Sequence, residues 1–142
     1  MNNSPIFTSG IEMKWTPTTL SSVVTGSTVA AYDGTSATVL VFSAGFNGAF
    51  VQKLVGEAMG TNIASVLRVY VNNGSTSATA SNNVLYYQFS LPVTTASQIT
   101  ATPHIEVPLL LQLPPYYAVY VSISCTTNLA SGWKITAVGG EY

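Results

Sequence analysis

Charge is what this chain has least of. Nine of its 142 residues are Asp, Glu, Lys or Arg, 6% of the sequence, where about a quarter is usual. Surface charge keeps a free monomer in solution, so so poor a supply points to a surface largely covered by other protein. The same shortage limits chemistry. Five carboxylates, one histidine and one cysteine leave little from which to assemble a nucleophile, a base and its orienting partner, and a non-enzymatic role without cofactor or metal is expected. Cys125 has no second cysteine to pair with, and no base or cation between Ser122 and Thr127 would activate it, so it reads as an inert, packed thiol. The cations Lys14, Lys53, Arg68 and Lys134 are scattered and the net charge is -1, which argues against nucleic acid. No apolar run approaches the roughly 18 residues of a membrane helix. The opening residues have no basic stretch followed by an apolar one, and the expectation is a chain made in a cytosol without a cleavable leader.

Helical periodicity is also missing, and what fills its place is alternation. Hydrophobic residues make up 47% of the chain and Ser plus Thr supply 34 positions, with β-branched and aromatic residues crowded between turn signals. That is the pattern of an all-β domain. After an extended arm over residues 1–10, short strands are expected at Gly10 to Thr16, Ala37 to Ser43, Ala49 to Ala58, Val66 to Asn72, Val84 to Leu91, Ile105 to Leu113, Tyr116 to Ser124 and Gly132 to Val138. The inward sets are Leu67, Val69, Val71; Leu85, Tyr87, Phe89, Leu91; Ile105, Val107, Leu109, Leu111, Leu113; and Tyr117, Val119, Val121, Ile123. Asp33-Gly34 and the segment from Ala44 to Gly48 read as turns, the uncharged stretch from Asn72 to Asn83 as a surface loop, and Pro108 marks an edge or bulged strand. Eight short antiparallel strands in residues 11–142 fit one β-sandwich with jelly-roll or related Greek-key topology. An immunoglobulin-type sandwich is the alternative, without its usual cysteine pair.

His104 and Glu106, two apart on a strand, would share a face, but a metal site needs three or four ligands and none stands nearby in sequence. A hydrogen bond at the surface is the simpler role. Lys53, Glu57 and Arg68 fall on consecutive expected strands, where opposite charges could pair across a sheet. No Gly-x-Ser-x-Gly elbow accompanies the many hydroxyls. The aromatic residues are more informative. Tyr70, Tyr86, Tyr116 and Tyr120 fall opposite the inward sets, where an apolar ring with a polar tip suits a partly wet contact. Together with Trp15 and Leu110 they form the candidate interface, for protein contact ahead of sugar stacking.

Three segments, Thr38 to Gly48 (TVLVFSAGFNG), Gly60 to Gly74 (GTNIASVLRVYVNNG) and Gly132 to Tyr142 (GWKITAVGGEY), together resemble a group of small bacteriophage virion proteins, over roughly residues 35 to 142. The resemblance implies a structural β-sandwich, a capsid decoration or cement protein bound outside the major capsid lattice, located in the virion after assembly in the host cytoplasm. It supplies no catalytic residues. A neck, tail or head-fibre component, or a receptor- or glycan-binding jelly-roll module, are the alternatives. Association into a homotrimer about a threefold axis with apolar strand faces inward is expected, which would hide the Leu110, Tyr116 and Tyr120 side of the domain, and uncharged loop ends and apolar sheet faces are the expected contacts.

Overall fold

The computed structural model describes residues 12–15 (backbone only), 32–127 and 129–142. The strands are β1 Glu12–Trp15, β2 Val39–Ser43, β3 Ala49–Ala58, β4 Ser65–Asn72, β5 Asn83–Leu91, β6 His104–Leu113, β7 Ala118–Ser124 and β8 Trp133–Glu141, with a three-residue 3-10 turn at Ala80–Asn82. All their pairings are antiparallel. β1 pairs with β8, β2 with β7, β3 with β6 and β4 with β5. This nesting is that of one long hairpin rolled upon itself, and pairs β3–β8 and β4–β7 close it into two four-stranded sheets of order β1-β8-β3-β6 and β2-β7-β4-β5. The result is the jelly-roll form of the expected β-sandwich, and the strand order excludes the immunoglobulin arrangement. The arm over residues 1–10 lies outside the described residues, as does the side chain of Trp15.

Alternation explains most of the core. On β6 the residues Val107, Leu109 and Leu113 are buried between exposed Glu106, Pro108, Leu110 and Gln112, and Val119, Val121 and Ile123 of β7 meet them from the other sheet together with Leu67 and Val69 of β4. Trp133, Ile135 and Ala137 of β8 fill the middle. Each such large side chain removed from water contributes roughly 1.5–3 kcal/mol. Cys125 is half-buried against this cluster.

Where alternation breaks, a bulge is the cause. On β3 the register shifts between Val51 and Lys53 against both neighbours, so Val51 and Leu54 are buried three apart, while on β6 the facing irregularity is taken up at Leu110, φ +49°, and Leu109 and Leu111 stay inward. β6 is also an edge strand, so Pro108 sits where a missing N–H costs no ladder bond. β5 is bulged at Tyr86, between the pairs Val69–Tyr87 and Tyr70–Leu85. The inward set expected there is therefore split: Phe89 and Leu91 join the core, Leu85 moves to the opposite face beside Tyr70, and Tyr87 is exposed.

The outer face of β4 and β7 is not a free surface. Tyr70 is fully buried, and Arg68, Asn72, Ala118 and Ser122 nearly so. The residues just before β2 lie across it. The Tyr32 ring stacks 3.9 Å from the Arg68 guanidinium carbon, Gly34 abuts the Tyr70 ring, and Asn83 Nδ2 donates to the Asp33 carbonyl at 3.1 Å. Gly34 is required at this crossing. Its φ of +73° and the 2.9 Å that would separate an added Cβ from Tyr70 Cδ1 both exclude a side chain.

Candidate interaction surfaces

The turns β2–β3, β4–β5 and β6–β7 meet at one end of the sandwich. The Gly45 carbonyl accepts from Gly48 N at 3.1 Å and from Tyr116 N at 3.2 Å, and Tyr142 N donates to the Gly48 carbonyl at 3.3 Å. Gly48, at φ +83°, lets the β2–β3 turn press on the Leu113 carbonyl, where a Cβ would stand only 2.6 Å away. The long β4–β5 connection is braced by four asparagines. Asn72 Oδ1 and Asn73 Oδ1 accept from Gly74 N and Ser75 N, Asn82 Nδ2 donates to the Thr76 carbonyl, and Asn83 Nδ2 donates to the Ser77 carbonyl. It is a surface loop, as its composition indicated, but a built one.

This braced end presents Phe46, 75% exposed, and Tyr116, 60% exposed, their rings edge to face at 6.2 Å and 78°. Beside them a cleft of about 330 Å³ is lined by Asn47, Gln112, Leu113, Pro114, Pro115 and Tyr142. The Tyr142 hydroxyl is buried and has no hydrogen-bond partner among the described residues. No side chain lining the cleft is charged, although the Glu141 carboxylate lies against Gly45 of the adjoining β2–β3 turn. An uncharged concave site with apolar walls and amide and phenol groups is suited to a neutral protein segment, because no ion need be desolvated.

The opposite end is held by one side chain. Asn62, 2% exposed, exchanges backbone bonds with Thr94, accepts on Oδ1 from Ser131 N and Gly132 N, and donates from Nδ2 to the Gly132 carbonyl at 3.0 Å. It ties the connections β3–β4, β5–β6 and β7–β8 together. Sequence reading missed it, since nothing local marks one asparagine in a chain full of them.

Ionic groups gather on the outer face of the β3–β6 sheet. His104 Nδ1 pairs with Glu57, its Nε2 lies 3.6 Å from Glu106, and Lys53 donates to Glu106 at 2.7 Å. Lys134 stands opposite Glu57 on β8. The Glu57 hydrogen bond, with smaller help from Glu106, raises the His104 pKa, and Lys53 holds Glu106 below its ordinary value. His104 and Glu106 do share a face, as their spacing requires. Arg68 corrects the other expectation. β3 and β4 lie in different sheets, so Arg68 bonds Gln88 instead, and Lys53 and Glu57 find their partners on β6. No group of three metal-ligating side chains suited to an ion occurs among the described residues.

The six candidate interface residues therefore disperse. Tyr70 is removed from the set by burial, its hydroxyl bonded to Ser122 Oγ at 3.3 Å. Tyr120 is half-buried on the same covered face. Tyr116 precedes β7 in a turn, at φ +65°, and points from the loop end. Tyr86 and Leu110 lie on the flank where β5 and β6 are the two sheet edges, the Tyr86 hydroxyl donating to the Leu109 carbonyl at 3.2 Å. Trp15 contributes its backbone to β1, paired with Val138. Leu110 and Tyr120 belong to different sheets, so Leu110, Tyr116 and Tyr120 do not form the single side that the expected trimer would hide. No family model, curated protein or solved structure matches the chain.

Proposed function

We propose that this chain is a non-enzymatic virion structural protein, a decoration or cement protein that seats its loop end on the outer surface of a bacteriophage capsid. The observation that carries this reading is the braced loop end with Phe46 and Tyr116 exposed beside the Asn47–Tyr142 cleft, whose lining side chains carry no charge. An aromatic pair rimmed by amides and prolines has the make-up of the centre of a protein interface. Rigidity strengthens the argument, since turns already fixed by asparagine side chains and close glycine contacts lose little entropy on docking. Clamping neighbouring capsid subunits needs binding energy alone. The ionic groups on the β3–β6 face keep that surface wet while the loop end is engaged.

The test is rebinding. Purified chain is added to particles stripped of it and cosedimented, alongside the variant Phe46→Ser with Tyr116→Ser. Both residues are exposed, so the variant is expected to fold normally, and its affinity is expected to fall at least about 100-fold, the scale of two interface anchors. Equal binding by the variant, or no binding by the unaltered chain, contradicts the proposal.

A further inference from the structure

Among the described residues the two open sheets present four edge strands, β1, β6, β2 and β5, and three of them are defended. β1 carries Glu12 and Lys14 in its sequence. β2 has only five residues and is bulged between Leu40 and Phe42. β6 carries Pro108, His104 and Glu106 and the Leu110 bulge. Charge, proline, shortness and bulging are the devices by which edges avoid pairing with other chains. β5 has nine residues, no charge and no proline. Its one irregularity, at Tyr86, leaves an unbroken run from Tyr87 to Leu91.

The surface around this edge is apolar. Of the large hydrophobic residues exposed among those described, Val84, Tyr86 and Tyr87 of β5 and Leu110 of β6 lie along this flank, Val84 at 65% and Leu110 at 67%. At the roughly 150–250 Å² that a large side chain can bury, these four still expose on the order of 400 Å². A stable interface takes about 800 Å² from each partner, somewhat more than half of it apolar. The flank supplies about the apolar share of one. The chain has no Asp, Glu, Lys, Arg or His between Arg68 and His104, so β5 and the connection after it meet no like charge when they face their own copy. That is the usual obstacle to a self-complementary surface, and it is absent from this one.

We propose that β5 is the strand through which two copies of this chain associate, edge to edge and antiparallel about a twofold axis, joining the β2-β7-β4-β5 sheets of two molecules into one continuous sheet. A twofold axis sets β5 against β5, so the free N–H and C=O groups of one edge meet those of the other. Tyr86 and Leu110 flank the pair on the side of β6. The loop end points along the sandwich and remains free, so pairing through β5 stands apart from docking through Phe46 and Tyr116.

The experiment uses the purified full chain without any particle. Sedimentation equilibrium from about 1 to 100 μM is expected to show a reversible dimer, of twice the 14.9 kDa chain mass. The variant Val84→Lys with Tyr87→Lys places two charges on an exposed edge, and its dimer is expected to weaken at least about 100-fold. Single cysteines placed in turn from Val84 to Ser90 in a Cys125→Ser background provide a second readout that does not depend on that variant folding. Disulfide formation is expected to peak at one position, the residue on the axis, and to fall away on both sides. A monomer throughout the range, a dimer indifferent to the lysines, or cross-links without a maximum on β5 overturns the proposal.

Discussion

The two sheets treat their outer faces in opposite ways. Outside β3 and β6, half-exposed Lys53, Glu57, His104 and Glu106 form a chain of ion pairs in water. Outside β4 and β7, the same positions in the pleat are taken by Tyr70, Arg68 and Ser122, buried beneath Tyr32 and Gly34. One face is kept wet by charges drawn from a very small supply, and the other is made a second, minor core. Neither is left as a bare apolar surface. Apart from Tyr32, 63% exposed over the covered face, the large apolar exposure among the described residues falls at the ends of the sandwich and on the β5 flank.

Removing the Tyr70 side chain attacks the covered face at its centre. Tyr70→Ala leaves a cavity under the Asp33–Gly34 crossing and an unpaired Ser122, and about 3–5 kcal/mol of stability is expected to be lost in urea unfolding, as for other buried aromatics. A loss below about 1 kcal/mol would mean that the face is open. Gly34→Ala tests the cover itself. A left-handed backbone bearing a side chain that abuts Tyr70 is expected to cost about 1–3 kcal/mol, and an unchanged transition would show that the crossing is loose.

The smallest effect belongs to the wet face and is read as a pH dependence. His104 binds its proton more tightly in the folded chain than the ordinary value of 6.5, so its contribution is complete below pH 6.5 and disappears as pH rises through the elevated folded value. The stability difference between the unaltered chain and His104→Ala is therefore expected to shrink from slightly acidic to slightly alkaline pH. A difference that is constant with pH would sever His104 from Glu57. For Glu106 the sign is reversed: lowered by Lys53, it contributes above the usual carboxylate range and loses that contribution as acid protonates it.

Much of the inward pattern was legible in the sequence. The inner faces of β6 and β7 follow from period-two alternation, and Pro108 indicated an edge or a bulge before either was visible. Alternation assigns a residue to a face and is silent on what lies over that face. Tyr70 was assigned outward and is outward, yet Gly34, some 36 positions away, makes that side interior. Pairing between strands was illegible for a related reason. In a jelly roll consecutive strands cross between sheets, so Lys53 and Glu57 face β6, not the neighbouring β4. The bulge at Tyr86 shifts a face by one residue without a local signal, and Asn62 acquires its role from three connections that meet only in the fold.

Cryo-electron microscopy of the native particle tests the central claim most directly. The account predicts density for the jelly roll in many copies over the capsid exterior, with Phe46, Tyr116 and the Asn47–Tyr142 cleft against the major capsid protein and the Lys53–His104 face in solvent. A sandwich seated on that charged face, or density confined to one vertex, the neck or the tail, would contradict it.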